Sequence, residues 1–596
     1  MTLRYILQFL GAQRSNGVEA LLVLAAVGLA LALPEVGSKW FEKIEQRFSR
    51  LARIRWRSAL LIGLLALGGR AALLPLLPIP QPVVHDEFSY LLAAGTFAHG
   101  RITNPTHPMW VHFESYDIIQ KPTYMSKYPP AQGLILAAGR VVAGNPFWGL
   151  WLSLGLMCGA ICWMLQAWMP AGWALLGAGL VTYRLAFLSY WGDSYWGGAV
   201  AATGGALVLG ALPRLMRRPR VRIALLMGVG LAIVANSRPY EGAWLGLAVA
   251  LALLAWVWGK NRPSLGVAVG QVILPLLLVL LATGCLMAYY FWRATGSPFR
   301  SPYRVYMQTY LPATIFPWQP VGRMPEFHHE ELRNNYLGWV DYIESARSHP
   351  GQLVMGKAYS LLDFFLGPTL VAPVLLLLLV GGWGYFRSFV KSRKARLLLL
   401  LCGLPLLGMA LPIYFNPHYV APLTGALYAM VLLAMRHLRL WRWRGQPVGR
   451  QMVRGFLCVI VAMFLGRTVV HSLYAHGFAF PWRPAINENV GRSRILEQLG
   501  RYPGGQLVVV RDCPTYSADL DWVYNDADIG AAKVVWARDM GFQANEELIR
   551  YFQDRRAWLL EACDSSAKLL PYPTMDGNEE PSARVGPLYD PPKTKR

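Results

Sequence analysis

Three adjacent ionisable residues, His85-Asp86-Glu87, follow a long apolar run that ends near Pro80. Acids are costly near hydrocarbon, so in an apolar chain they usually face a water-filled cavity and serve a function there. A carboxylate in such a cavity can remove a proton from an attacking hydroxyl or amide group. One acid could instead only cap the helix that begins near Phe88. Since a cap needs a single acid, we predict that Asp86 is catalytic and that Glu87 takes part.

Further polar residues fall in loops and helix ends that the topology derived below places on the same side as Asp86. Arginine can hold a departing phosphate through paired hydrogen bonds, and aromatic rings offer stacking faces to a sugar. The set therefore suits displacement of a lipid phosphate from a sugar. Its members are Tyr128 in "SKYPPAQG", Asp193 in "SYWGDSYWGG", Arg238 and Glu241 in "NSRPYEG", Arg300 and Arg304 in "GSPFRSPYRVYMQTY", and His418 in "FNPHY".

Each of these residues also has a plainer interpretation. Asp193 could cap the helix that follows it, and Arg238 could extend to the membrane interface. Arg300 and Arg304 could contact lipid headgroups, and Tyr128 with its two prolines could only set a turn. The run "HHEE" at 328–331 looks like a metal cluster, but adjacent residues point in different directions on a helix. His107 and His112 could bind metal or substrate, although a solvated loop also explains them.

Composition indicates which elements must position these side chains. Of 596 residues, 55% are hydrophobic and only 15% are charged. Apolar runs of about 17–25 residues recur, which predicts a polytopic helical membrane protein. The net charge of +24 could suggest nucleic-acid binding. The basic residues, however, lie in short loops between apolar runs, and the sequence has no nucleic-acid-recognition motif beside them. We therefore predict no nucleic-acid partner.

Five basic clusters fix the predicted topology, because cytoplasmic loops are enriched in Lys and Arg. If all five are cytoplasmic, the loop that carries Asp86 lies outside and an odd number of crossings leads from it to Arg214. The apolar stretch 131–144 is too short to cross a hydrocarbon core of about 30 Å, so we predict a juxtamembrane or re-entrant helix there. The clusters lie at residues 39–57, 214–222, 260–262, 387–396 and 436–454.

About twelve spans result, with the N-terminus and the C-terminal region outside. They are predicted at residues 18–34, 58–79, 147–168, 171–190, 197–213, 222–237, 241–258, 265–291, 358–386, 396–414, 417–435 and 452–470.

The predicted fold class is an α-helical polytopic membrane protein with outer juxtamembrane helices and a small C-terminal α/β domain. Residues 1–57 form an N-terminal helix and a basic cytoplasmic segment. Residues 58–470 form the transmembrane domain, with outer loops at 80–130 and 292–356. Residues 471–596 form the α/β domain and a basic, Pro-rich tail. In it, "GQLVVVRDC", "AKVVWARDM" and "RAWLLEAC" read as strands, and "NEELIRYFQD" reads as a helix.

Two of the seven cysteines, Cys513 and Cys563, each directly follow a predicted strand. They could lie side by side at one edge of a sheet. In an oxidising compartment they could be bridged, and otherwise they are two free thiols. The sequence leaves both alternatives open.

The segment "HDEFSYLLAAGTFAHGR", followed by "SKYPPAQGLILAAG", resembles the opening of the membrane-integral C-type glycosyltransferases. The resemblance is to relatives of the protein O-mannosyltransferases and of the lipid A aminoarabinose transferase, a family 39-like group. It covers residues 58–310 in order and is weaker up to residue 470. In that group an acid in the first outer loop is catalytic, and a Lys/Tyr-Pro-Pro stretch opens a juxtamembrane helix.

The resemblance implies that Asp86 is the base acting on the acceptor and that Glu87 is its neighbour or helps to hold a metal. Asp193 corresponds to a second outer acid of the relatives, although the usual preceding Arg is missing here. Arg238 stands where relatives carry a basic residue before Pro, near the lipid phosphate. No cofactor is required by the sequence, but a divalent cation on Asp86 and Glu87 is compatible with it.

The function predicted from these residues is inverting transfer of a sugar from a polyprenyl-phosphate donor to a glycan, lipid or protein acceptor. The expected location is a bacterial inner membrane, with the site facing the periplasm or exterior and with membrane lipids as further partners. Two alternatives stay open: a transporter or flippase of a lipid-linked glycan, and a non-catalytic membrane scaffold. The sequence names neither the sugar nor the acceptor, and it does not give the oligomeric state.

Overall fold

The structure is a computed structural model that describes residues 3–259, 262–311, 314–473, 490–513, 521–563 and 566–573. The Pro-rich tail predicted at the C-terminus lies outside the described residues. The described chain is mainly helical. Its first twelve helices are α1 (Leu3–Ala32), α2 (Ser38–Ala52), α3 (Arg55–Ala72), α4 (His85–Ala98), α5 (Pro130–Ala143), α6 (Phe147–Trp168), α7 (Ala171–Val181), α8 (Ala199–Arg217), α9 (Val221–Ala235), α10 (Pro239–Val257), α11 (Leu265–Ala268) and α12 (Leu274–Thr295).

Nine helices and seven short strands follow or interleave in the described chain. The helices are α13 (Pro302–Tyr310), α14 (Glu330–Ser348), α15 (Pro350–Phe365), α16 (Gly367–Lys391), α17 (Arg393–Ala410), α18 (Thr424–Leu438), α19 (Val448–Leu473), α20 (Val490–Gly500) and α21 (Phe542–Tyr551). The strands are β1 (Asn104–Pro105), β2 (Ile118–Ile119), β3 (Thr123–Ser126), β4 (Gly505–Asp512), β5 (Val534–Arg538), β6 (Arg555–Cys563) and β7 (Ser566–Pro571).

The chain divides into two compact units, each built from three separate segments. Unit 1 comprises Met1–Pro80, Trp148–Cys285 and His349–Ala485. Unit 2 comprises Gln81–Phe147, Leu286–Ser348 and Ile486–Arg596. The C-terminal segment therefore belongs to the same unit as the first loop that carries Asp86.

Apolar helices long enough to cross a bilayer identify an integral membrane protein. Among the described residues, seven helices meet this test, or eight if the bent pair α15–α16 counts as one span. The seven are Ser15–Ala32, Phe147–Trp168, Ala199–Arg217, Pro239–Val257, Leu265–Thr295, Pro417–Leu438 and Val448–Thr468.

Four further predicted spans form helices that do not pass the same test. Helices α3 and α17 each carry three basic residues within 18 residues. The apolar helices at Ala171–Phe187 and Val221–Ala235 are shorter than 18 residues. The predicted total of about twelve spans therefore stays a prediction. The short apolar helix expected at 131–144 is present as α5, and its 14 residues extend over about 21 Å.

Small residues let the helices of unit 1 approach closely, as is usual where lipid surrounds a bundle. Helices α8 and α9 meet at Gly204 and Gly230. A Cβ atom on Gly204 would lie 2.8 Å from the carbonyl oxygen of Gly230, and one on Gly230 would lie 2.7 Å from that of Gly204. Any larger residue at either position would force the two helices apart.

Several charged side chains buried in unit 1 have an opposite charge or hydrogen-bond acceptors beside them, as a low-dielectric interior demands. The Arg467 guanidinium lies 2.8 Å from the Glu19 carboxylate, which also accepts hydrogen bonds from the backbone and side chain of Thr369. Arg184, in a π-helical turn that follows α7, donates to the Asp363 and Phe364 carbonyl groups at the α15–α16 bend. These contacts tie the N-terminal helix and the bend to the rest of unit 1.

Unit 2 contains the three strands expected near the C-terminus. The sheet order is β5-β4-β6-β7, in which β4 pairs in parallel with β5 and β6, and β7 is antiparallel to β6. Alternate residues of β4 point to opposite faces. Val508 and Val510 pack with α20, whereas Leu507 and Val509 share a core with Phe88 of α4 and other first-loop residues. The C-terminal sheet is thus a support for the first loop.

Two features stabilise this support at the carboxyl end of β4. Cys513 and Cys563 are joined by a disulfide, as one of the two alternatives from the sequence proposed. Arg538, at the end of β5, is buried and donates to Asp521 at 2.5 Å and to the Glu114 carbonyl oxygen at 2.7 Å. This arginine therefore ties the first loop to the sheet.

We expect Arg538→Gln to lower the free energy of unfolding of unit 2 by about 3–5 kcal/mol, because removal of one partner of a buried ion pair leaves an uncompensated charge. Asp521 would be that charge, since it is fully buried. Thermal unfolding of the detergent-solubilised protein measures the change. Arg550→Gln removes a solvent-exposed guanidinium from a surface i,i+4 pair and should leave the unfolding temperature unchanged. Equal effects of the two variants would contradict the assigned role.

Candidate active site

Helix α4 presents His85 and Asp86 at its first turn, and Glu87 determines how that turn begins. The Glu87 carboxylate accepts hydrogen bonds from the backbone N–H groups of Val83 (2.9 Å) and Val84 (3.2 Å). Its side chain is buried. Glu87 therefore caps the N-terminus of α4, and Asp86 is left to face the site. The two adjacent acids have different contacts.

A short hairpin brings Asp117 and Lys127 opposite each other. Strands β2 and β3 pair with Ile118 opposite Ser126, so the residues just outside the ladder are Asp117 and Lys127. The Lys127 backbone N–H donates to the Asp117 carbonyl oxygen at 3.1 Å, and the two side chains form an ion pair. Asp117 has a φ of 64°, a left-handed conformation that non-glycine residues rarely adopt and that often marks a functional site.

The left-handed turn at Asp117 is held from both sides. The Tyr306 hydroxyl accepts a hydrogen bond from the Asp117 backbone N–H at 2.9 Å, and the Ser89 hydroxyl donates to its carbonyl oxygen at 2.6 Å. Tyr306 is in turn hydrogen-bonded to the Tyr336 hydroxyl. Helices α4, α13 and α14 thus fix one acidic residue of the first loop.

The Tyr128 hydroxyl lies between the two carboxylates. It contacts Asp86 Oδ1 and lies 2.8 Å from Asp117 Oδ2. A phenol has one hydrogen to donate, so it can satisfy only one of these carboxylates. The carboxylate that does not receive this hydrogen still lies close to the Tyr128 oxygen. That contact requires a second proton or a cation to offset the repulsion between the two oxygens. Asp86 and Asp117 therefore form a pair that holds a proton or a positive charge between them.

The Lys127 ammonium provides positive charge beside this pair and sits among aromatic faces. It lies 4.5 Å from the centroid of the Tyr306 ring, 5.0 Å from that of Tyr128 and 5.5 Å from that of Tyr303. Cation–π attraction holds an ammonium group in such a cage. A cation in this position can neutralise an acid or attract the phosphate of a substrate.

The two carboxylates are driven to different pKa values. Burial and the neighbouring Asp117 charge raise the pKa of Asp86. Burial alone would also raise the pKa of Asp117, but the Lys127 ammonium and further hydrogen bonds hold it below its ordinary value. Acid and base roles can be told apart where neighbouring pKa values are separated in this way. The lowered pKa favours the ionised form of Asp117, and the raised pKa favours the protonated form of Asp86.

His85 completes a set of donor atoms that fits a divalent cation. Its Nε2 lies 3.7 Å from Asp86 Oδ2 and 3.8 Å from Asp117 Oδ2. One donor atom from each of these residues lies within 4.8 Å of the others. An imidazole with two carboxylates suits zinc or manganese, although Lys127 competes for the Asp117 charge. Within the described part of the chain this is the group with such spacing, and it contains Asp86 but not Glu87.

The other histidines considered from the sequence have structural partners. His328 Nδ1 and His329 Nε2 lie 3.0 Å and 3.5 Å from Glu114 Oε2. His112 Nδ1 contacts the Arg538 carbonyl oxygen at 3.2 Å, and His107 stacks on Phe552. These contacts fix the first loop against the sheet and α14.

Four of the predicted substrate-binding residues lie in unit 1. Asp193 is 3.5 Å from the guanidinium of the buried Arg70. His418 is buried and hydrogen-bonded to the Tyr190 hydroxyl at 2.6 Å. Arg238 precedes α10 and lies 4.7 Å from the centroid of the Tyr419 ring, and Glu241 is buried in the first turn of the same helix.

Arg300 and Arg304 lie in unit 2 but are solvent-exposed. Arg300 contacts the side-chain oxygen of Gln308 at 2.5 Å, and the Arg304 backbone N–H donates to Ser301 at the start of α13. Neither has a described contact with Asp86. It is Tyr303 and Tyr306 of the same helix that face Lys127.

Sequence reasoning missed Asp117 and Lys127 as partners of Asp86. Both belong to the loop whose acids and "SKYPP" stretch were noted. A hairpin over residues 117–127 would have placed them opposite each other, but β2 has only two residues and gives almost no periodic signal. The signal for Tyr128 was its position next to Pro129.

No family model and no curated protein sequence matches the chain. Similar solved structures include ArnT from Cupriavidus metallidurans bound to undecaprenyl phosphate, with 12% identity and a TM-score of 0.46, covering 84% of this chain and 93% of that one. The Archaeoglobus fulgidus oligosaccharyltransferase in the apo form has 10% identity and a TM-score of 0.44, covering 85% of this chain and 70% of that one. TM-scores below 0.5 are too low to assign a fold or a function.

We expect Glu87→Ala to lower the free energy of unfolding by about 1–2 kcal/mol, because the cap that satisfies two backbone N–H groups is lost. Glu87→Gln keeps an oxygen acceptor at the same place and should cost less than half as much. Thermal unfolding of the solubilised protein measures both. Equal stability of the alanine and wild-type proteins would show that Glu87 is not a cap.

Proposed function

We propose that this protein is a glycosyltransferase that moves a sugar from a polyprenyl-phosphate donor to an acceptor hydroxyl at the outer face of the membrane, with inversion at the anomeric carbon. The observation that carries the proposal is the pair Asp86–Asp117, bridged by Tyr128 and neighboured by Lys127. It combines a proton acceptor with a cation in a chain that is integral to the membrane.

Asp86 is the base in this scheme. The Asp86 carboxylate takes the proton of the acceptor hydroxyl, the acceptor oxygen bonds to the anomeric carbon, and the bond from that carbon to the phosphate oxygen breaks. The polyprenyl phosphate departs with the electron pair of the broken bond. A carboxylate whose pKa is raised is a stronger base than an ordinary one, and Asp86 meets that requirement.

Asp117, Tyr128 and Lys127 hold the charges that this step needs. Asp117 stays ionised and keeps the Asp86 pKa high, and Tyr128 fixes the orientation of the Asp86 carboxylate. Lys127 supplies a positive charge for the leaving phosphate. Arg300 and Arg304, which belong to the same unit as the pair, are proposed to contact the donor phosphate or lipid headgroups. The substrate-binding roles predicted for Asp193, Arg238, Glu241 and His418 stay predictions.

His85, Asp86 and Asp117 would hold a divalent cation if the reaction uses one. Such an ion would supply Lewis-acid stabilisation of phosphate charge. A cation or a second proton would each offset the repulsion between the Asp86 and Asp117 carboxylates.

The outer face is supported by the disulfide. Cys513–Cys563 and the Asp86 pair belong to the same compact unit, so they share a compartment. Disulfides persist in oxidising compartments such as the periplasm and the cell exterior. This supports a site that faces that compartment, in agreement with the distribution of basic loops. We propose that α3, α7, α9 and α17 cross the membrane as well.

We expect Asp86→Asn to lower transfer by at least about 100-fold, because an amide cannot accept the proton. Mass spectrometry of surface glycans, glycolipids and glycoproteins from cells with the wild-type chain, with the variant and without the chain measures the product. Glu546→Gln makes the same chemical change on the exposed side of α21 and should retain full transfer. Product formation by Asp86→Asn at the wild-type level would exclude Asp86 as the base.

We expect Asp117→Asn to move the acidic limb of the pH–rate profile to lower pH. The Asp117 charge raises the pKa of Asp86, so its removal lowers that pKa, and the base form then persists at lower pH. The Lys127 charge, freed from its partner, acts in the same direction. The profile of kcat/KM against pH, compared with that of Glu546→Gln, measures the shift. A limb that stays in place or moves to higher pH would contradict the coupling of the two acids.

A further inference from the structure

Helix α2 of unit 1, Ser38–Ala52, follows directly from a membrane crossing. The candidate span Ser15–Ala32 ends α1, and a short turn with Gly37 in the left-handed region (φ 68°) leads into α2. The sequence "SKWFEKIEQRFSRLA" combines aromatic and aliphatic residues with lysine and arginine. A strongly amphipathic helix at such a position suits the plane of a membrane interface.

One face of α2 is held by the rest of unit 1. Glu45 accepts hydrogen bonds from Arg439 at 2.7 Å and from Arg454 at 3.0 Å. Arg454 also lies 5.2 Å from the centroid of the Phe41 ring, and Ala52 is fully buried. This face fixes the orientation of the helix, so the opposite face has a defined direction.

The outward face carries an apolar stripe with no cover from the described residues. Trp40, Ile44 and Leu51 are spaced four and seven residues apart, which places them on one side of a helix. Their side chains are 63%, 43% and 51% exposed. A tryptophan and two aliphatic residues in this arrangement are typical of helices whose apolar side enters the acyl boundary.

Basic residues lie along one side of this stripe and have no acidic partner among the described residues. Lys39, Lys43, Arg47 and Arg50 are exposed, and no ion pair joins any of them to another described residue. The two acids of α2 are paired elsewhere, Glu45 as above and Glu42 with Arg450 at 3.7 Å. Within the part of the chain that the structure describes, the outward face therefore has four positive charges and no acidic group paired with them.

We propose that the outward face of α2 binds the headgroups of anionic phospholipids in the leaflet at which α1 ends. The apolar stripe enters the acyl boundary, and the four basic residues contact the phosphates around it. Charge complementarity distinguishes this occupant from neutral lipid, which would satisfy the stripe but leave the cations unpaired. The proposal does not depend on the chemistry assigned to Asp86.

A surface hollow of about 640 Å³ adjoins the start of α2 and is lined by residues 31–36 and by Trp443, Arg444, Gln446 and Val448. It contains the acid Glu35 as well as Arg444, so its charge is balanced. The preference for anionic lipid is therefore assigned to the face of α2 and not to the hollow.

The test places a photoreactive benzoylphenylalanine at Ile44 in the full-length protein. The protein is reconstituted in phosphatidylcholine vesicles with a minority of phosphatidylglycerol, irradiated, and analysed by mass spectrometry for lipid adducts. We expect the phosphatidylglycerol share of the adducts to exceed its share of the bilayer by about fivefold or more, since each basic residue near the surface attracts anionic lipid. In K39Q/K43Q/R47Q/R50Q the share should fall to the bilayer composition while the total adduct yield persists.

A matched variant, R501Q/K533Q/R550Q/K568Q, removes the same charge from exposed positions of unit 2 and should retain the enrichment. A phosphatidylglycerol share equal to that of the bilayer in the unsubstituted helix would overturn the proposal. So would an absence of lipid adducts at position 44, which would show that the face contacts water or a protein. Equal loss of enrichment in the two charge variants would also overturn it, because net charge and not α2 would be responsible.

Discussion

Two carboxylates that share one phenol hydrogen are the constraint on which this site depends. Asp86 and Asp117 both approach the Tyr128 hydroxyl, and only one can receive its proton. Their surroundings separate the two pKa values. The Lys127 ammonium lowers the pKa of Asp117, whereas burial and the Asp117 charge raise the pKa of Asp86. Two acids of the same type thereby differ in the protonation state that each favours. The proposed transfer chemistry needs that division of roles.

The fold holds this pair through segments that are distant in sequence. The first loop contributes the hairpin and α4. The segment Leu286–Ser348 contributes Tyr306 and Tyr336. The C-terminal sheet packs against α4. Arg538 reaches from the sheet to the Glu114 carbonyl oxygen, three residues before Asp117. The extended C-terminal segment is thus part of the same unit as the acids. This arrangement explains why a sheet of short strands follows the apolar helices.

Charged residues in this chain fall into two groups with different physical reasons. Some are buried and paired, such as Glu19 with Arg467, because an isolated charge in a low-dielectric interior is too costly. Others are exposed and unpaired within the described chain, such as Lys39 and Lys43 on α2, because they lie where solvent or a lipid headgroup can compensate them.

The sequence by itself determined the integral membrane class, the short helix at 131–144, the C-terminal strands, and Asp86 and Tyr128 as candidates. The length of apolar runs, the alternation of residue types and the positions of prolines indicate these features, and all three are local signals. Only the tertiary structure decided that Glu87 caps α4, that Asp117 and Lys127 join Asp86, and that Cys513 is bridged to Cys563. Those results depend on a two-residue strand pairing and on segments hundreds of residues apart. No local pattern encodes such contacts, because they arise when distant segments bury one another's apolar faces.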